Sequence, residues 1–173
     1  MKKFELTTDT KMRFGKKLFR IKALISFGNV RAGDVGGYIE KEENLSQSGN
    51  AWVYGNAEVS GDAEVYGDAK VYGNAKVYGD AWVSGNAEVS GDAKVYGNAD
   101  YATASGFGSE CRTTTFFKLK NSDEIGVRCG CFYGTLKEFK EKVKETHGET
   151  KKAKEYLMLA DLMEYRFSEE KKA

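Results

Sequence analysis

Residues 49–102 read GNAWVY GNAEVS GDAEVY GDAKVY GNAKVY GDAWVS GNAEVS GDAKVY GNADYA, nine uninterrupted hexads of the pattern Gly-[Asn/Asp]-Ala-x-Val-[Tyr/Ser]. Only the ninth departs, with Tyr101 where Val belongs. Strict repetition of this kind signals a solenoid and settles the architecture before any local assignment. Within a hexad Ala and Val stand two residues apart, as do x and Tyr/Ser. Side chains two apart share one face of a strand, so Ala and Val point inward while x and Tyr/Ser point outward. Gly followed by Asn or Asp supplies the bend, because Gly reaches positive φ without penalty and Asn and Asp tolerate it. Each hexad is therefore one short strand and one corner. Three equal sides close a coil of 18 residues, so nine hexads predict three coils, about 15 Å tall at the spacing of hydrogen-bonded strands.

Stacking at 18 residues sets outward columns. Trp52, Lys70 and Glu88 form one; Glu58, Lys76 and Lys94 a second; Glu64, Trp82 and Asp100 a third. Tyr54 stacks on Tyr72 and then Ser90, and Tyr78 on Tyr96. Aromatic or opposite-charge neighbours on adjacent strands contribute a few tenths to about 1 kcal/mol each. At the corners only Asp62 and Asp80 place one carboxylate over another, so the corner acids read as structural rather than as calcium ligands. Two Trp and five Tyr point out from this small prism. Trp52, Tyr54, Lys70, Tyr72, Tyr78, Trp82 and Tyr96 are the candidate binding face, and packing of prism against prism in a dimer or trimer is the simplest use for them.

The repeat resembles the hexapeptide-repeat left-handed β-helix family, whose hexads carry an aliphatic residue, then Asn or Asp three positions on, then a small residue. Val53, Asn56 and Ala57 match that spacing, as do Val59, Asp62 and Ala63. The left-handed sense of the coil is implied by this resemblance alone. Leu18-Phe-Arg-Ile-Lys-Ala23, Ala32-Gly-Asp-Val-Gly-Gly-Tyr-Ile39, Glu43-Asn-Leu45 and Cys129-Gly-Cys-Phe-Tyr-Gly-Thr-Leu-Lys-Glu-Phe139, taken with the hexads, look like a group of phage and prophage proteins labelled polymer-forming cytoskeletal or hexapeptide-repeat. That resemblance implies a mobile-element origin and transfers no functional residue.

The expected architecture is mainly β. An N-terminal β cap and lead-in spans 1–48, the left-handed β-helix 49–102, and a C-terminal ββαα cap domain 103–173. An open β-helix end invites unwanted pairing and needs a cover. Before the repeat, residues 17–26 alternate as a strand and Gly28 to Gly37 read as a turn-rich link. Glu43 to Ser48 is a degenerate hexad with Leu45 in the Ala position. Gly33-Asp-Val-Gly-Gly37 lacks the spacing and the Lys of a phosphate loop, so it reads as a turn. After the repeat, strands at 113–120 and 125–132 flank the turn Asn121-Ser-Asp-Glu124. A capping box at Thr135 to Glu138 opens a helix with Leu136, Phe139 and Val143 on one face. A second helix, about 151–166, presents Ala153, Tyr156, Leu157, Ala160 and Met163.

Composition narrows the function classes. Lys plus Arg number 27 against 26 acidic residues, and the net charge of +1 gives no general case for nucleic acid. The charge is uneven: residues 49–100 carry three basic and eight acidic groups, and residues 1–48 ten and six. No apolar leader or membrane-length run is present, and three cysteines predict reduced thiols in a cytoplasm. The interleaved Lys and Glu of residues 137–154 read as a solvated helix face.

Hexapeptide-repeat acyltransferases use a His as general base near the helix wall, and γ-type carbonic anhydrases need three His ligands. This repeat holds no His and the whole chain has one, His147. An atypical acyltransferase whose base lies outside the repeat is the enzymatic alternative, and nucleic-acid mimicry by the acidic prism is another. Cys111, Cys129, Cys131 and His147 are the set whose residue types suit zinc, but Cys-x-Cys is an uncommon zinc spacing. Cys129 and Cys131 read better as small core residues of one strand face, and His147 as a cation at a helix C-terminus. The expectation is a non-catalytic, cofactor-free binding or scaffold protein, homo-oligomeric. Its more specific form is an inhibitor or decoy against a host protein or small signalling molecule.

Overall fold

The computed structural model describes residues 1–108, 110–120 and 122–168. The chain divides into two compact units, Met1–Asn98 and Ala99–Ala173. In the first, eight hexads form the expected short strands: β4 (Trp52–Val53), β5 (Glu58–Val59), β6 (Glu64–Val65), β7 (Lys70–Val71), β8 (Lys76–Val77), β9 (Trp82–Val83), β10 (Glu88–Val89) and β11 (Lys94–Val95). Each pairs in parallel with the strand 18 residues away, as Trp52 with Lys70 and Glu64 with Trp82. The Ala and Val of these hexads are no more than 1 % exposed. Burying each Val contributes about 1.5 kcal/mol or more. The corner glycines from Gly49 to Gly91 have φ between +57° and +73°. At Gly73 a Cβ would also lie 2.9 Å from the backbone nitrogen of Gly91 on the next coil. Alternation, corner chemistry and period thus agree on a β-solenoid of about three turns.

The ninth hexad leaves the stack. Gly97 is not in the left-handed region, and Asn98–Asp100 is a 3-10 turn. Tyr101 and Ala102 belong to a strand of the second unit. Tyr101 is too large for the interior slot that Val fills, so the expected third column ends at Trp82 without Asp100. The lead-in makes up the lost sides. Strand β3 (Val35–Ile39) sets Tyr38 and Ile39 beside Glu58 and Val59, and Leu45 bridges Val65. Leu45 therefore occupies a Val position, not the Ala position expected of it. The Ile39–Val59 and Leu45–Val65 offsets are 20 residues, against 18 for Val53–Val71. The two additional residues lie between Leu45 and Val53, where the Gln47 Oε1 accepts from the Lys3 N–H at 2.7 Å.

Two further strands were not legible beforehand or were read only in part. Strands β1 (Phe4–Arg13) and β2 (Lys16–Ala23) form an antiparallel hairpin, and β2 pairs with β3. The sheet order β1-β2-β3-β5-β8-β11 continues one solenoid face into this hairpin. Gly36 and Gly37, expected in a turn, lie inside β3. A Cβ on Gly36 would fall 2.6 Å from both the Ile21 side chain and the Val53 carbonyl, so close approach, not bending, accounts for that glycine.

The second unit is a four-stranded antiparallel meander, β12 (Tyr101–Ala104), β13 (Thr114–Lys118), β14 (Ile125–Cys129) and β15 (Phe132–Thr135), followed by α1 (Leu136–His147) and α2 (Lys151–Phe167). Only the middle pair was expected, and Asn121 of its turn lies outside the described residues. Gly130, at φ +58°, and Cys131 form the β14–β15 turn, so Cys131 is not on the strand face assigned to it. The capping box is present: the Thr135 N–H donates to the Glu138 carboxylate at 2.7 Å, and the Glu138 N–H to the Thr135 hydroxyl at 3.3 Å. Phe116, Val127, Leu136, Phe139, Val143, Tyr156, Ala160 and Met163 share its core.

Asn44 joins lead-in to solenoid and is fully buried. Its amide oxygen accepts from the Glu40 and Lys41 N–H groups at 3.1 and 2.9 Å. Its amide nitrogen donates to the Gly61 and Ala63 carbonyls at 3.0 and 2.8 Å. Removal of a buried group with this many partners strands several backbone atoms. Asn44→Ala is expected to lower the unfolding free energy by about 2–4 kcal/mol, read by urea denaturation; a loss of a few tenths would contradict this role.

Candidate interaction surface of the solenoid

The three outer columns differ in what covers them. Trp52, expected outward on the binding face, is 1 % exposed. Phe4 and Phe27 pack against its ring edge-on, with centroids 6.2 and 5.4 Å away. Lys3 is buried beside them, donating from Nζ to the Ala51 carbonyl at 2.9 Å and lying 4.9 Å from the Phe27 centroid. Burial lowers the Lys3 ammonium to about 8. The N-terminal strand thus uses Trp52 as its docking anchor, which removes that residue from the accessible face. Above it, Lys70 Nζ is 3.4 Å from Glu88, and the Tyr72 hydroxyl donates to Glu88 at 2.9 Å. Tyr54 meets Tyr72 edge-on at 6.4 Å. Burial first, then the Glu88 and Asp34 charges, push the Tyr54 phenol up.

The second column holds Glu58, a carboxylate only 7 % exposed. Lys11 and Arg13 of β1 reach it at 2.7 and 3.0 Å, and Lys76 of the next coil at 3.7 Å. Burial pushes the carboxyl upward, but hydrogen bonds from Lys11 and Arg13, with the Lys11 and Lys76 charges, outweigh it and hold the group below its usual range. Lys11 also lies 3.8 Å from the Tyr38 ring centroid. Lys76 and Lys94 then stand directly side by side.

The third column is open: Trp82 is 52 % exposed and Tyr66, at the end of its first hexad, 37 %. Tyr96, which follows Lys94 at the end of the second column, is 59 % exposed. Tyr78 and Tyr96 meet edge-on at 5.2 Å, a geometry that contributes about 0.5–1.5 kcal/mol beyond area burial. The seven residues singled out from sequence therefore separate. Trp82 and Tyr96 are exposed; Tyr54, Lys70, Tyr72 and Tyr78 are half-buried; Trp52 is covered. Tyr66 belongs to the exposed set and was passed over, although its hexad position is that of Tyr78. The charge centre at Glu58 was also missed, since its partners Lys11 and Arg13 lie 45 or more residues away on a strand with weak periodicity.

The four zinc-type residues are not gathered. Cys111 and Cys131 are exposed, Cys129 accepts from the Thr114 hydroxyl at 3.2 Å, and His147 stacks on Tyr156 at 5.9 Å. Among the described residues no group of three or more His, Cys, Asp or Glu is placed to hold a metal ion. A shallow cavity of about 430 Å³ lies over Phe132, Tyr133, Glu138, Glu141, Lys142 and Glu145. Two of its carboxylates are engaged, Glu138 with Thr135 and Glu145 with Lys142 at 2.9 Å.

Glu58→Gln is expected to destabilise the protein at neutral pH. The native carboxyl is lowered relative to the unfolded chain, so its contribution is full above the ordinary carboxylate range and disappears as pH falls through the native value. The gap between wild type and variant in urea unfolding should therefore narrow between pH 7 and pH 3; a constant gap would sink the assignment. Neither a scan against protein-family models nor a search of curated proteins finds a match to this chain.

Proposed function

We propose that this chain is a non-catalytic binding and scaffold protein that works by surface recognition and self-association, with the outer faces of the solenoid as contact surface. The observation that carries this is the division between inside and outside. The interior is filled by Ala and Val at no more than 1 % exposure, whereas Trp82, Tyr96 and Tyr66 stand outward. Large aromatic rings contribute most to association when neighbours exclude water around them. Lys70, Glu88, Asn50 and Asp68 are held in contacts within the coil stack, which gives the surface a fixed polar frame. The repeat also contains no histidine to act as base.

Self-association in a dimer or trimer would cover the Trp82 face with a second copy. The narrower form, an inhibitor or decoy that captures a host protein or signalling molecule, rests on the resemblance to phage proteins. Native mass spectrometry of the full chain tests the oligomer and any retained ligand together. The expected result is a dimer or trimer that shifts toward monomer in a Trp82→Ser/Tyr96→Ser double variant, with unchanged circular dichroism. A wild-type monomer at micromolar concentration would overturn self-association.

A further inference from the structure

The tip of the N-terminal hairpin breaks a local rule. Arg13 pairs with Lys16, leaving Phe14 and Gly15 as the two-residue turn, and both have positive φ, 48° and 78°. Such a turn favours Asn-Gly, because a side chain bulkier than Asn is strained in the left-handed region. Phe14 accepts that strain and also leaves its ring 96 % exposed. Strain held at an exposed position points to a use for the side chain.

The surroundings say what use. Lys11, Arg13 and Lys76 crowd one carboxylate, Glu58, so their charge is not matched there. Lys76 Nζ lies 6.0 Å from the Phe14 centroid. Lys94 is directly beside Lys76 on the adjacent strand, a like-charge pairing that costs stability until an anion lies across it. An exposed aromatic plane bordered by cations that outnumber their acidic partners, Glu58 and Glu40, is the chemistry that takes a nucleobase on the ring and phosphates on the ammonium groups. Membrane insertion calls for a broad apolar face, and the tip offers this ring and Met12.

We propose that the Phe14 hairpin tip, with Arg13, Lys76 and Lys94, binds nucleotide units, most favourably as a single strand of RNA or DNA. This goes beyond the self-association reading: Phe14, Arg13 and Lys76 form its centre, and it borders the Tyr96 surface through Lys94, whose Nζ is 5.9 Å from the Tyr78 ring that meets Tyr96.

Phe14→Asn separates binding from folding, since Asn suits the turn better than Phe. Fluorescence anisotropy of the full-length protein with labelled oligouridylate and oligothymidylate of about 12 nucleotides, in about 50 mM salt, reads the affinity. Wild type is expected to bind at least one of them. Phe14→Asn should weaken binding about fivefold or more while its melting temperature stays level or rises. Lys76→Gln should weaken binding and flatten the salt dependence by about 0.7 in log–log slope. Competition by uridine monophosphate at equal affinity would support the same stacking and phosphate site and assign it to the free nucleotide. Three outcomes overturn the proposal: no binding of any of these probes, undiminished binding by Phe14→Asn, or binding to phosphatidylglycerol vesicles without binding to the oligonucleotides.

Discussion

Parallel backbone pairing between residues 18 apart, at one fixed register, is the constraint on which the rest of the solenoid depends. Trp52 N–H to Ala69, Lys70 N–H to Ala87, Glu58 N–H to Ala75 and Lys76 N–H to Ala93 repeat one bond at 2.9–3.0 Å from coil to coil. Such bonds need each corner to return the chain after the same number of residues. Glycine provides this twice over, by adopting positive φ and by having no Cβ to meet the glycine stacked on it. Once register is fixed, side-chain identity determines the columns: Val on Val inside, Tyr on Tyr outside.

Repetition of the interior leaves function to what is not repeated. The buried positions vary hardly at all, whereas the outward x position runs through Trp, Glu and Lys. That freedom is used unequally. Near the N-terminus it anchors added chain: Trp52 receives Phe4 and Phe27, and Glu58 receives Lys11 and Arg13. Farther along it leaves Trp82 exposed. One hexad motif therefore yields both a docking site for the chain's own hairpin and an exposed aromatic surface.

The lead-in shows how an irregular segment joins a regular one. Its first turn runs two residues longer than an 18-residue coil; the Asn44 amide donates to the Gly61 and Ala63 carbonyls of the coil, and the Gln47 amide oxygen accepts from the Lys3 N–H just before β1. A buried amide with all its hydrogen-bonding capacity used fixes the register that follows. The hairpin then extends the β3 face, and its charges are held against Glu40 and Glu58.

The solenoid was legible because its evidence is local and repeated. Ala–Val alternation gives the strand faces, Gly-Asn/Asp gives the corners, and Thr135 with Glu138 marks the start of α1. Boundaries and exposure were not legible in the same way. A hexad such as GNADYA keeps its corner residues yet leaves the stack, because Tyr101 cannot enter the space that Val takes. Strand β1 has no clean alternation, so neither its existence nor its cover over Trp52 could be read from residues 4–13. Burial of an outward side chain depends on distant chain returning to it, and period two says only which face it leaves from. Local repetition dictates the coil, its period and its interior; which outward residues stay in contact with water follows only from how the lead-in packs, a long-range property that no hexad carries.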